Sequence, residues 1–498
     1  MNQVYEKLMR CYASVREKVD FKPRAALVLG SGLGNYGEQI KISQVLDYHE
    51  IEGFPVSTVP GHKGRFLFGY VDDVPVVAMQ GRVHYYEGYP MTDVVLPIRL
   101  MKLLGAGILF LTNAAGGVNP EFSAGDFMLI KDQIASFVPS PLIGANLEEL
   151  GPRFCDMSEV YDKDLQEIIR KTAKDLAILE YLTGGITANF DMYLTPDTIA
   201  RASEDYGFRT VLCGAVNDFT QSAEELEEWY LKYREEKESG GLISFRLGFH
   251  AEYTTSEPLL RKIAELAWKL QAPVYTHNSE TRTEVEQCIA RTGMTPTAYL
   301  DSLGMFEYGG GGFHCVHMTE EDLRIFQKRG LSVVTNPGSN TKLASGIAPI
   351  RRMMELGINI GIGTDGPASN NCLDMFREMF LTTGLAKLRE KDAAVVDAGQ
   401  VLYMATAGGA KACGLNECDA LAEGKLADLI MIDLHQPNMQ PLNNIAKNLV
   451  YSGSKQNVKL TMVNGRILYE NGEFFVGEDP EYIYEKANQI IRRCREEA

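Results

Sequence analysis

The chain has no apolar run of the roughly 18–20 residues needed to cross a bilayer, which argues against a helical membrane protein. Residues 1–10 lack the apolar core of a signal peptide. Positive charge is also in short supply. The 49 Lys and Arg are outnumbered by 66 Asp and Glu, a formal net charge of -17 that argues against nucleic acid or an anionic membrane as partner. None of the 9 cysteines forms a Cys-x-x-Cys pair or a disulfide-framework spacing, so they read as buried thiols in a reducing cytoplasm. Repeats and low-complexity tracts are absent, and the charge-rich stretch 224–238 reads as a solvated helix face. At 498 residues two or three domains are expected, yet no Gly-, Ser- or Pro-rich linker marks a boundary near 176–180. No His-x-His pair occurs anywhere.

What the first third does contain is a series of small polar motifs beside apolar strand-like runs. Residues 25–34 read as a buried strand entering a Gly-rich turn, where backbone N–H groups can approach an anion. Alone, that turn is as readily structural. It is followed by Pro60-Gly61-His62-Lys63-Gly64, by Gly81-Arg82-Val83-His84-Tyr85-Tyr86 and by Thr112-Asn113-Ala114-Ala115-Gly116-Gly117. Together these supply a hydroxyl, two His, one Arg and accessible amides. Such a set suits a phosphate dianion, with Arg82 giving bidentate charge and Ser31 and the Ala114 amide giving neutral donors.

These four ordered motifs closely resemble the trimeric purine nucleoside phosphorylases, from near residue 5 to near residue 177. Pro141-Leu142-Ile143-Gly144 and Asp156-Met157-Ser158-Glu159 belong to the same resemblance. It implies that Ser31, Arg82, His84 and Ala114 bind phosphate as co-substrate and that His62 sits on a loop closing over it. It also implies that Tyr86 contacts the ribose and that Ala115 and Gly116 flank the nucleoside. The second half of that fold, which supplies the base-reading residues, does not follow.

Beyond residue 178, strand-like and helical runs alternate, as in parallel βα units. Strands are expected at 186–194, 210–216, 242–251, 273–279, 312–318, 331–336 and 358–365, seven where a closed (β/α)₈ barrel has eight. His277, His314 and Asp365 fall at strand ends, and their N and O donors suit Zn²⁺ or Fe²⁺. A lone buried His is more often structural than a ligand; three such residues at successive strand ends reverse that weighting. Glu280, three residues after His277, is placed to move protons from an activated water. His314 and His317 are three apart and so face opposite ways on a strand, which assigns His314 to the site and His317 to packing or support.

This part resembles the amidohydrolase superfamily, specifically the deaminases of S-adenosylhomocysteine, methylthioadenosine and adenosine. The carrying motifs are Phe249-His250-Ala251-Glu252, Thr276-His277-Asn278-Ser279-Glu280-Thr281, His314-Cys315-Val316-His317, Asn336-Pro337-Gly338-Ser339-Asn340 and Gly363-Thr364-Asp365-Gly366. Gly424-Lys425-Leu426-Ala427-Asp428 and Val463-Asn464-Gly465-Arg466 match the small β-domain that follows such barrels. The resemblance implies that His277 and Asp365 ligate the metal, that Glu280 shuttles protons and that His314 polarises the purine ring or water. Asp365 would also act as base, and His250 would contact the ribose side. The first barrel strand with its His-x-His is missing, so an open barrel and a weakly bound Zn or Fe are expected.

The expected fold is α/β. A partial phosphorylase-type domain (1–178) precedes a seven-stranded incomplete barrel (179–420) and a β-domain remnant with a terminal helix (421–498). Three functions of different class fit: a metal-dependent hydrolytic deaminase of adenosine-type nucleosides, a phosphorolytic pentosyltransferase on purine nucleosides, and a phosphate-holding protein without turnover. The first is favoured because its resemblance covers more residues. The expected partners are small purine nucleosides and phosphate in the cytoplasm, without nucleic acid or membrane. Self-association into a homo-oligomer is left open.

Overall fold

The computed structural model describes residues 2–30, 37, 40–57, 63–71, 74–113, 130, 133, 139–143, 146–151, 160–193 and 195–485. Two compact units arise, one from Met1–Ile169 and the other Arg170–Tyr484.

The first unit is built on a five-stranded mixed sheet. Its strands are β1 (Ala25–Leu29), β2 (Lys41–Asp47), β3 (Arg65–Val71), β4 (Val74–Gln80) and β5 (Ile108–Leu111), in the order β2-β3-β4-β1-β5. β1 is almost wholly apolar because it lies centrally, parallel to both β4 and β5. β2, β3 and β4 form an antiparallel meander. Helix Gln3–Lys18 buries Leu8, Cys11 and Val15, the i, i+3, i+7 stripe of an amphipathic helix. They join Leu96, Leu100, Met101 and Leu104 of helix Leu96–Leu104 and the rings of Tyr48, Phe66 and Phe68 in one core. Full burial of each large apolar side chain contributes roughly 1.5–3 kcal/mol before chain entropy is subtracted.

The second unit contains all seven expected strands: β6 (Ala188–Met192), β7 (Arg209–Cys213), β8 (Ile243–Ala251), β9 (Val274–Asn278), β10 (Gly310–His314), β11 (Ser332–Thr335) and β12 (Asn359–Ile362). They run parallel in strict sequence order, each hydrogen-bonded to the next. Among the described residues β6 and β12 do not pair, so the sheet stays open, as the strand count requires. Alternate residues point inward: Phe190 and Met192 of β6 meet Cys213, Tyr275, Phe313 and Val334 in an inner cluster. Helices cover the outer face. Helix Ala223–Glu238 buries only Ala223, Leu226 and Tyr233, leaving its acidic side to solvent.

One strand differs from expectation. β10 begins at Gly310 and stops at His314, instead of running from 312 to 318. His314 and Cys315 take φ of +65° and +50°, which turns the chain out of the strand. His317 therefore lies beyond the strand, and the alternation argument does not apply to it.

A four-stranded antiparallel sheet completes the unit: β13 (Leu429–Ile432), β14 (Val458–Val463), β15 (Arg466–Glu470) and β16 (Glu473–Phe474), paired in that order. Val463 and Leu468 pack with Ile178, Leu179 and Leu182 of helix Lys163–Thr183. Arg209 at the start of β7 donates to both Asp428 oxygens, at 2.5 and 2.9 Å, in a pair only 4% and 2% exposed. No described helix is long and apolar enough to cross a membrane. Cys11, Cys213, Cys288 and Cys315 are buried free thiols, and burial pushes the Cys213 and Cys315 thiols well up.

Candidate functional site

In the first unit the residues of phosphate-binding type lie where β1, β4 and β5 end side by side. Gly30 follows β1, and a Cβ there would come within 2.6 Å of the Thr112 carbonyl, so only glycine permits this approach of β1 to the segment after β5. The Thr112 hydroxyl donates to Val28 O at 2.7 Å and accepts from the Gly30 N–H at 3.0 Å. Arg82, just past β4, donates from Nη1 to Thr112 O at 3.1 Å and from Nε to His84 Nε2 at 3.2 Å. The other His84 nitrogen faces Glu87 Oε1 at 2.9 Å. A carboxylate accepts, so Nδ1 carries the proton and Nε2 is the acceptor for Arg82. Tyr86 stacks on His84 at 4.7 Å and is 74% exposed. Ser31, His62, Ala114, Ala115 and Gly116 lie outside the described residues.

In the second unit the chemistry-bearing side chains gather at the C-terminal ends of the parallel strands, where barrel sites form. His277 is the penultimate residue of β9, His314 the last of β10, and Asp365 lies three past β12. His277 Nδ1 donates to His250 O at 2.7 Å, which leaves the Nε2 lone pair without a hydrogen-bond partner among the described residues. Burial, reinforced by neighbouring His314, holds the His277 imidazole well below its ordinary range, so it is neutral near pH 7. His314 is 1% exposed and its Nδ1 donates to Asn340 Oδ1 at 2.7 Å, which again frees Nε2. That nitrogen is 3.9 Å from Glu280 Oε2 and 3.9 Å from Asp365 Oδ2, too far for hydrogen bonds. The His277 and His314 rings lie 5.5 Å apart. His250 lies beside them, its ring 5.0 Å from His277 and its Nδ1 3.0 Å from the Thr254 hydroxyl.

The backbone here is strained. Ser279, His314, Cys315 and Asp365 all have φ between +50° and +65°, a region unusual for residues other than glycine. Each conformation is locked by hydrogen bonds. The Glu284 carboxylate takes the N–H groups of Ser279 and Glu280, both at 2.8 Å, and fixes the turn that presents Glu280. Ser339 donates to Asp365 Oδ2 at 2.5 Å, and the Gly366 N–H donates to Oδ1 at 2.6 Å. Ser345 donates to Glu280 Oε1 at 3.0 Å.

Sequence reading alone did not single out Glu284, Ser345 or Glu378, and it quoted Ser339 and Asn340 only within a motif. Their signal was weak: a capping-box Glu three residues after Thr281, and small polar residues just past β11. Two imidazole nitrogens and a carboxylate are the donor kinds that hold a divalent cation. Among the described residues, however, no three His, Cys, Asp or Glu are close enough to enclose one.

Two families match, one toward each end of the chain. The Phosphorylase superfamily matches residues 24–200, and the Amidohydrolase family matches residues 145–468. The chain is 40% identical to a 5-methylthioadenosine/S-adenosylhomocysteine deaminase of Syntrophomonas wolfei, over 64% of this chain and 74% of that protein. It is 37% identical to a 5'-deoxyadenosine deaminase of Methanothermobacter thermautotrophicus, over 63% of this chain and 74% of that protein. Among solved structures, an adenosine deaminase from Xanthomonas campestris with bound zinc superposes with a TM-score of 0.63 at 32% identity, covering 66% of this chain and 76% of that one. Seven parallel strands in sequence order, the strand-end residues and a match over well more than half its length together mean that the chain belongs to the amidohydrolase family.

Proposed function

We propose that the second unit is a metal-dependent hydrolytic deaminase of adenosine-type nucleosides, of the class that includes S-adenosylhomocysteine, methylthioadenosine and adenosine. The observation that carries this reading is the convergence of His277, Glu280, His314 and Asp365 at neighbouring strand ends. The relatives support it, since their names share an adenosine-type substrate. The donors fit a divalent cation, zinc or iron, in kind and fall short in number. His277 and Asp365 are the residues that would hold it, and when bound it supplies the Lewis acidity that makes a water nucleophilic.

The chain's own residues account for the rest of the chemistry. Hydrolysis adds water across the carbon–amine bond and releases ammonia, so the protons taken from the water must be delivered to the purine and the leaving amine. Asp365, oriented by Ser339 and the Gly366 amide, is the base. Glu280 keeps one oxygen on Ser345 and turns the other toward the space before His314, the position for carrying a proton to the purine and the leaving amine. His314, oriented by Asn340, offers Nε2 to the same space. His250, beside His277, is the residue proposed to contact the ribose side.

For the domains we propose a phosphorylase-like part over 1–178, a barrel over 179–420 and a β-domain remnant from 421. Arg82, His84 and Tyr86, with Ser31, His62, Ala114, Ala115 and Gly116, form the proposed phosphate and nucleoside site of the first part. A second reading, phosphorolysis, is favoured only by the Arg82–His84 arrangement beside Thr112. One experiment separates the readings. Purified protein is supplied with zinc and adenosine, methylthioadenosine or S-adenosylhomocysteine, and ammonia is measured. Ammonia release abolished by Glu280→Gln supports deamination. No ammonia above buffer, with free base appearing only when phosphate is added, overturns it in favour of phosphorolysis.

A further inference from the structure

We propose that Ser345 is the positioning residue for Glu280, and that the tight turn carrying it aligns Glu280 and His314 as one unit. The inference rests on the reading of Glu280 as the proton-carrying carboxylate. Ser345 is 7% exposed and lies 65 positions from Glu280 in sequence, yet its hydroxyl donates to Glu280 Oε1 at 3.0 Å. No other side-chain hydrogen bond holds the Glu280 carboxylate among the described residues. The second oxygen is left facing His314 Nε2 across 3.9 Å. A glutamate has three side-chain torsions, and ordering them costs rotamer entropy. The Ser345 hydroxyl is the group that selects one rotamer.

The turn itself is held on all sides. The Ser345 N–H donates to Asn340 O at 2.9 Å, and the Ser345 carbonyl accepts from His317 Nε2 at 2.7 Å. Ala344 and Gly346 on either side take φ of +58° and +129°. A Cβ on Gly346 would meet Val316 at 2.9 Å, so the turn is pressed against the segment that follows β10. Asn340, which receives the Ser345 N–H, also orients His314 through its side chain. His317, left over by the strand-based reading, is thus the anchor that fixes the height of the Ser345 turn. Glu280 follows β9 and His314 ends β10, and one segment, 340–345, orients both.

The test uses the full chain with Ser345→Ala, Ser345→Thr and Glu280→Gln. In protein carrying ¹³C at the glutamate carboxyl carbon, the Glu280 resonance is the one lost in Glu280→Gln. Ser345→Ala is expected to move or broaden that resonance, and Ser345→Thr, which keeps the hydroxyl, to restore it. Where the zinc-loaded protein deaminates, Ser345→Ala is expected to lower kcat about tenfold to a hundredfold with KM retained, the size of a lost hydrogen bond to a charged group. An unmoved Glu280 resonance in Ser345→Ala overturns the proposal. So does a shift that Ser345→Thr reproduces instead of repairing, because that makes the turn merely structural. Absence of deamination in the unsubstituted protein fails the functional reading alone, since the resonance reports the Ser345 contact with or without turnover.

Discussion

Replacing Glu378 by Gln is expected to shift the stability of the second unit, relative to the unsubstituted chain, increasingly upward as pH rises from acid to neutral. Glu378 sits in helix Met375–Glu390 and is fully buried. Its carboxyl accepts the Gly338 N–H at 2.8 Å and the Asn370 side-chain amide at 2.9 Å. Asn370 in turn donates to Thr364 O at 2.6 Å, next to Asp365. Among the described residues no cation is bonded to Glu378, and burial pushes its carboxyl from the ordinary 4.5 up to about 7, the two hydrogen bonds and the nearby Arg377 charge pulling only partly back. A shift of that size corresponds to about 3 kcal/mol at 1.36 kcal/mol per unit. The sign follows from proton binding. Below pH 4.5 the carboxyl is protonated whether the chain is folded or not. Between 4.5 and about 7 the unfolded chain has released a proton that the folded chain keeps, so stability falls as pH rises, and above about 7 the loss is complete. Gln carries no proton to lose. The difference in unfolding free energy, variant minus unsubstituted, should therefore grow by about 3 kcal/mol from pH ~4 to pH ~8. Both tryptophans, Trp229 and Trp268, lie in the second unit, so urea unfolding followed by their fluorescence reports on it. A difference that stays flat or shrinks over this range would refute the reasoning. It would mean that the two hydrogen bonds, not burial, set the ionisation of Glu378.

Protein stripped by a mild chelator and then dialysed is expected to hold far less than one equivalent of zinc or iron by elemental analysis, because His277 and Asp365 supply two donors where zinc sites have three or four, and among the described residues no three such groups enclose a cation. A tight stoichiometric metal would show that the site is more complete than the described residues make it. Inorganic phosphate is expected to raise the melting temperature of the first unit, and Arg82→Ala to remove that rise; an undiminished rise in the variant counts against Arg82 as the phosphate ligand. Asp428→Ala is expected to destabilise the second unit by about 3–5 kcal/mol in chemical denaturation, because it leaves the Arg209 guanidinium buried without its partner. Inserting a strand that bears His-x-His ahead of β6 is expected to raise metal content and deamination together, since one strand would supply both donors and closure; metal gained without activity would refute the coupling.

The parts of this molecule that were legible in the sequence are those dictated by local patterning. Most of the seven parallel strands lie within apolar runs bounded by turn residues, and burial on both faces keeps runs such as β7, β8 and β11 nearly continuous, which makes them readable. β10 shows where that reading stops. Gly310 and Gly311 resemble loop residues, yet they are strand residues because the neighbours come too close for a side chain: a Cβ would lie 1.9 Å from Val274 O at the first and 2.2 Å from Ser332 O at the second. At the other end, nothing in the letters His314-Cys315 announces two consecutive positive φ angles. An apolar-run reading therefore places the strand too late and applies to His317 an alternation it does not follow. The same limit governs the site. His277, His314 and Asp365 were readable because strand ends are local features. The groups that aim them were not: Ser345 reaches Glu280 across 65 positions, Asn340 reaches His314 across 26, and Glu378 reaches Gly338 across 40. These contacts exist only once separate strand-to-helix turns are stacked at one end of the sheet. A small polar residue in a loop looks the same in sequence whether it faces water or a buried carboxylate. A motif scan therefore finds the groups that react sooner than the groups that hold them in place. In this chain most of the holding groups follow β11 and β12, toward the edge of the sheet that, among the described residues, has no further strand beyond it.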